Sequence, residues 1–240
     1  MELQSLTAHI SSKLHTFRVD TEYQYLSYIP TGKLDLLVLA LHGYGMNPRT
    51  MLDLVVPLFG DSAAFASIQA PNQFYLKQAL SASEVGYNWG TRAHGTESIA
   101  LHHRMVMAVG SDLRKHCGIG KEKTILLGFS QPVGYNYRFS ATFPDEVAGV
   151  IGICGGVPKD WETGDYGRVS AALLHIAREE DEFFPAATTA DYARKLRARA
   201  TDVEFHQLSG GHRFPSKGRM IVQPWVQRVF GVTAFGGTQP

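Results

Sequence analysis

In the stretch "ILLGFSQPVGYNY" (125–137) a serine stands just past an apolar run and just before a helix-like segment. A serine at such a strand-to-helix turn is held out from the sheet at a helix N-terminus, where unpaired N–H groups and aligned dipoles favour negative charge. Ser130 is thus a candidate nucleophile, although a serine there can also serve only as a helix cap. A hydroxyl attacks only after a base takes its proton, so a histidine must be within reach. Of the ten histidines, His212 in "LSGGHRFP" lies on a glycine-rich loop directly after the last strand-like segment. From there an imidazole can reach back over a sheet edge; a plain surface turn is the alternative. His102 and His103 fall mid-helix and His175 and His206 within strands, where packing or surface roles fit better. A carboxylate must then fix the base's tautomer. Glu179, Glu180, Asp181 and Glu182 all follow the strand at 171–177, and periodicity does not choose among them. Acids there also suit the first turn of a following helix.

The remaining component is a cradle for developing negative charge. "LALHGYGMN" (39–47) leaves a buried strand into His42-Gly43-Tyr44-Gly45, whose glycines let the backbone turn an N–H inward at Tyr44. The second donor would be the amide of the residue after the nucleophile, Gln131. Pro132 occupies a position where a glycine is common after such a serine. In the first turn of a helix its missing N–H costs little, and Gln131 keeps its own. The ring still needs room against the neighbouring strand, and it biases the dihedrals of Gln131.

These groups need a scaffold. "LLVLALH" (36–42) is apolar on both faces, as a buried parallel strand is. "KTILLGF" (123–129), "VAGVIGIC" (147–154) and "AALLHIA" (171–177) follow as further strands, then "VEFHQL" (203–208), with a weaker strand at "AFASIQA" (64–70). "EYQYLSYI" (22–29) alternates like a half-exposed antiparallel edge strand. Helices are expected near 49–59, 97–116, 132–142, 186–199 and 217–230, the second presenting Ile99, His103, Val106, Ala108 and Leu113 on one face. This alternation predicts an α/β fold, a mostly parallel central sheet with helices on both faces. Two long connections, 71–96 and 155–170, read as irregular loops that would wall a site at the carboxyl ends of the strands.

Composition narrows the function classes. A chain of 240 residues with 44% hydrophobic content and net charge +1 fits one domain, 1–240, with no electrostatic case for nucleic acid. Apolar runs fall well short of the ~20 residues of a membrane helix, and "MELQSLTAHISSKLHTF" lacks the pattern of a signal peptide. Cys117 and Cys154 have no metal or redox spacing, which fits a reducing compartment or simple packing, so a cytoplasmic protein is expected. No HExxH, GxxxxGK[ST] or GxGxxG motif occurs, and no cofactor or metal is called for. Trp89 and Phe183, on loops flanking the motifs, are the aromatics best placed to line a substrate pocket.

Serine, acid and histidine occur here in the chain order of α/β-hydrolases. Four segments together resemble the carboxylesterase/phospholipase group that includes the acyl-protein thioesterases: "LHGYG" (41–45), "GFSQPV" (128–133), "REEDEFFP" (178–185) and "GGH" (210–212). "CGGVP" (154–158) and "YNWG" (87–90) are similar to the family's small-residue turn and its tryptophan-containing loop. The resemblance spans roughly residues 30 to 230. It implies an α/β-hydrolase fold with no large separate cap domain, and hydrolysis of carboxylic esters or thioesters through an acyl-enzyme. It implies Ser130 and His212 as nucleophile and base, Tyr44 and Gln131 at the oxyanion hole, and, counting back from Pro185, Asp181 as the acid. A small-molecule ester is the partner so implied. A peptidase or amidase using the same groups, or a non-catalytic binding protein on the same scaffold, are the rival readings.

Overall fold

The computed structural model describes residues 13–77 and 84–232; the first twelve residues of the N-terminal stretch read above, and 78–83 of the 71–96 connection, lie outside them. Seven strands form one sheet in the order β1-β3-β2-β6-β7-β8-β9. They are β1 (Tyr25–Tyr28), β2 (Leu36–Leu41), β3 (Ala63–Ile68), β6 (Thr124–Phe129), β7 (Gly149–Ile153), β8 (Ala172–Arg178) and β9 (Val203–Leu208). Only β1 runs antiparallel, pairing with β3 at the edge; every other pairing is parallel. The helices are α1 (Pro48–Phe59), α2 (Gly95–Cys117), α3 (Val133–Thr142), α4 (Ala186–Thr189), α5 (Tyr192–Arg197) and α6 (Arg219–Phe230).

The period-2 alternation of side chains along a strand explains the layers. In β2, Leu37, Leu39 and Leu41 join one buried cluster with Met105 and Val106 of α2, Tyr137 of α3 and Leu196 of α5. Leu36, Val38 and Ala40 point the other way, into a second cluster with Val55 of α1 and Trp225 of α6. Both faces of β2 are therefore covered, which is why its sequence shows no polar alternation. All six β2 residues and all six β6 residues are buried. By contrast β1 is largely exposed, as an edge strand can be.

Three details differ from the sequence reading. The 71–96 connection is not wholly irregular: β4 (Asn72–Tyr75) and β5 (Val85–Asn88) form a separate antiparallel hairpin. Each strand is four residues long, too short for an alternation to stand out, and Gly86 breaks the apolar pattern of β5. The helix expected over 186–199 is split into α4 and α5. On α2, Ala108 is exposed, while the neighbouring His102 is fully buried and His103 nearly so. A 100° step per residue makes a one-position error in the buried stripe enough for that exchange.

Among the described residues four histidines, His42, His102, His103 and His175, are buried. Burial, which penalises the charged imidazolium, is the leading cause that lowers each pKa: His42 and His103 to about 4, His102 and His175 to about 3. The unfolded chain, with ordinary histidine pKa values near 6.5, binds more protons than the native state between these limits. Stability is therefore full above about pH 6.5 and falls as pH drops toward 4, by up to about 1.4 kcal/mol per pH unit for each histidine. Urea denaturation at pH 7.5, 6 and 5 should show this steep loss, and replacing His175 with Phe should make it shallower.

Candidate active site

Four chain segments leave the carboxyl edge of the sheet within reach of one another. The central one is the turn from β6 to α3. Ser130 adopts φ 64°, a left-handed conformation that a side-chain-bearing residue rarely takes. Its N–H donates to Ile153 O on β7 at 2.8 Å, and its carbonyl accepts from Val133 N at 3.2 Å. The close approach of α3 to the sheet needs small neighbours. A Cβ added at Gly155 would lie 2.6 Å from Ser130 O and 2.3 Å from Val133 Cβ.

Pro132 is the N-cap of α3, with φ −74° and ψ −10°. That φ is proline's own, so the ring introduces no backbone strain at its position. The ring finds its room over Gly128, where an added Cβ would sit 3.4 Å from Pro132 Cγ. The Gln131 side chain is tied down on both ends: Oε1 accepts from Trp89 N at 2.9 Å, and Nε2 donates to Gly90 O at 2.8 Å.

The second and third segments are the turn after β8 and the loop after β9. Their backbones are stitched together by Glu179 N to Leu208 O (2.9 Å) and Glu180 N to Gly210 O (3.1 Å). Gly210 has φ 110°, and an added Cβ would strike the Arg178 guanidinium, so this position accepts only glycine. Of the four acids, Glu179, Glu180 and Glu182 are exposed and Asp181 alone is buried. Its Oδ1 accepts from the Phe183 and Phe184 amides, each at 2.9 Å. Its Oδ2 lies 2.8 Å from His212 Nδ1, and His212 Nε2 lies 2.8 Å from Ser130 Oγ. With Nδ1–H donated to the carboxylate, Nε2 is left to accept the serine proton. Glu182 contributes differently, its Oε2 accepting from the His212 amide at 3.1 Å. Residues from three distant segments thus form one hydrogen-bonded chain.

The fourth segment follows β2. Gly45 N donates to Tyr87 O (2.9 Å) and Tyr87 N to Met46 O (3.1 Å), so the β4–β5 hairpin clamps the turn at 43–46. His42 is buried beneath it. Its Nε2 accepts from Ala70 N at 3.1 Å, which leaves the proton on Nδ1, 2.8 Å from Gly43 O. Among the described residues the Tyr44 and Gln131 amides have no backbone acceptor, whereas the Ser130 amide is committed to Ile153. Tyr44 and Gln131 sit on the two turns that border Ser130.

Trp89, expected as a pocket wall, is fully buried, and its Nε1 donates to His42 O at 2.8 Å. It props the 42–46 turn from below, because a buried indole N–H must find an acceptor and this one finds it inward. Phe183 is exposed and sets its ring edge-on to His212, centroids 4.8 Å apart. Sequence reasoning missed His42, Phe129 and Phe184 as neighbours of the site. The signal for His42 was a polar residue directly continuing a fully apolar strand. Cys154, next to the site, is buried, and burial, then Asp181, pushes its thiol up to about 12.

No sequence-family model matches the chain, and no curated protein sequence matches it. Solved structures do. An esterase, PE8, superposes with TM-score 0.69 at 21% identity, covering 87% of this chain and all of its own. The Bacillus cereus carboxylesterase gives TM-score 0.70 at 15% identity, over 87% of this chain and 95% of its own. The Zea mays acyl-protein thioesterase 2 gives 0.66 at 16%, over 87% and 99%. This is the α/β-hydrolase fold. On the turn that follows the central strand β6, the strained residue is the half-buried Ser130.

Two substitutions probe how the turns are held. Pro132→Gly should lower stability by about 1 kcal/mol, because the unfolded chain gains freedom while the native φ is one proline already prefers. A gain in stability on urea denaturation would mean the ring is strained against Gly128. Trp89→Phe keeps most of the packing but orphans the buried His42 carbonyl, and should cost about 1–3 kcal/mol.

Proposed function

We propose that this protein is a serine hydrolase of carboxylic esters, thioesters included, acting through Ser130, His212 and Asp181. The reading rests on one observation: the chain from Ser130 Oγ through His212 to Asp181 Oδ2, with both links at 2.8 Å. Structural neighbours named as esterases and a thioesterase support the same class.

His212 Nε2 takes the hydroxyl proton as Ser130 Oγ bonds to the substrate carbonyl carbon. The carbonyl π electrons move to oxygen, which the Tyr44 and Gln131 amides receive, each worth about 3 kcal/mol. Asp181 keeps the imidazole in the required tautomer and stabilises the imidazolium. The oxyanion then re-forms the carbonyl, the bond to the leaving oxygen or sulfur breaks, and His212 returns its proton to that atom. Water, deprotonated by the same nitrogen, attacks the acyl-enzyme, and Ser130 Oγ leaves with the proton. The left-handed turn presents the hydroxyl ahead of α3, whose N-terminal dipole favours the developing charge. Residues 1–240 act as one catalytic domain on a small-molecule ester, and the free cysteines suit a cytoplasmic setting.

A fluorophosphonate probe should label the protein covalently, and Ser130→Ala should abolish labelling. Persistent labelling of that variant, or none of the parent, would overturn the reading. Asp181→Asn should lower kcat on a nitrophenyl ester by about 10⁴-fold, since the tautomer is lost. Pro132→Gly should stay within about tenfold of the parent, ~1.4 kcal/mol in the barrier, because the Gln131 amide is retained.

A further inference from the structure

The side of the site on which a leaving group departs follows from the same geometry. Whatever atom leaves must come within hydrogen-bond reach of His212 Nε2, since that nitrogen returns the proton. In the hydrolase reading the carbonyl oxygen is received by the Tyr44 and Gln131 amides rather than by His212. The leaving group therefore sits against whatever flanks the imidazole, and what flanks it is aromatic. Phe129 lies 5.3 Å from the His212 ring and Phe184 6.0 Å, but Phe129 is buried and Phe184 only partly accessible. Phe183 is nearest, at 4.8 Å and 70° to the imidazole, and it keeps 68% of its surface exposed.

That exposure is unusual for a side chain so firmly placed. The Phe183 and Phe184 amides are both bonded to Asp181 Oδ1, so the backbone that carries the ring is held by the same carboxylate that orients His212. An exposed phenyl ring fixed beside a proton donor offers apolar area and a π face to anything seated there. Tyr44 is engaged instead with Phe74, centroids 4.9 Å apart, and no ring contact links that pair to His212 among the described residues.

From this arrangement we propose that Phe183 is a specificity-determining residue that selects esters and thioesters with aromatic leaving groups, by packing against the departing alcohol or thiol rather than against the acyl chain. This rests on the hydrolase reading of Ser130 and His212. The ring adds no step to the reaction: it contacts the leaving group while His212 protonates it.

The test is a matrix of kcat/KM values. One series holds an acetyl group constant and compares phenyl, benzyl and ethyl leaving groups; the other holds nitrophenol constant and lengthens the acyl chain. In Phe183→Ala the phenyl-to-ethyl ratio should fall about tenfold, Phe183→Tyr should retain it, and the acyl-chain profile should keep its shape. An unchanged ratio, or a change confined to the acyl series, overturns the proposal while leaving the hydrolase reading intact. A parent protein that turns over neither series and resists the fluorophosphonate overturns that reading instead. Retained labelling of Phe183→Ala would show that the variant folds.

Discussion

The backbone at Ser130 has to be forced into a left-handed conformation, and most of the architecture around it serves to keep it there. A non-glycine residue at φ 64° is strained by roughly 1–3 kcal/mol, and persists only where surrounding contacts over-determine it. Here they do. The amide is bonded to β7, the carbonyl caps the first turn of α3, and small residues on β7 and just beyond it leave space for the helix to come in close. Cys154, one strand over, repeats the arrangement, with φ 48° and its amide bonded to Ile176 O on β8. The edge of the sheet is a staircase in which each strand's exit turn is held by the next strand.

The other groups are held by separate devices, each anchored in the core. The turn at 43–46 is fastened by the hairpin outside it and by His42 and Trp89 beneath it. The acid turn and the histidine loop are sewn together by backbone bonds before any side chain meets. Asp181 accepts from two amides and from the imidazole, so its carboxylate is satisfied although no water reaches it. Such a fully bonded buried acid orients its partner at little cost in mobility. The exposed acids beside it are free to hydrate and hold nothing so firmly.

Much of the fold was legible because buried parallel strands have an unmistakable composition. The apolar runs at 36–42 and 123–129 carry strands over 36–41 and 124–129, and the half-buried edge segment 203–208 carries one over its whole length. The β4–β5 hairpin was not legible. It is not a core strand pair; its register depends on backbone bonds to Gly45 and Met46, far away in sequence. The setting of Trp89 was not legible for a related reason: its position next to a loop says nothing about which way the indole turns, and its N–H meets a carbonyl 47 residues earlier.

By itself the sequence determined the alternation of strand and helix, and hence that its serine, acids and histidine all lie just past strand ends. Local propensity and apolar periodicity act over a few residues, and that range is enough to nominate Ser130 and His212. Choosing one acid among four neighbours from the residues alone was beyond that range. Only the packed structure decided that Asp181 is buried and bonded to His212 while Glu179, Glu180 and Glu182 face solvent. Burial and hydrogen-bond partners are properties of contacts between β8 and β9 and the loops beyond them, which come into being only when the sheet is assembled.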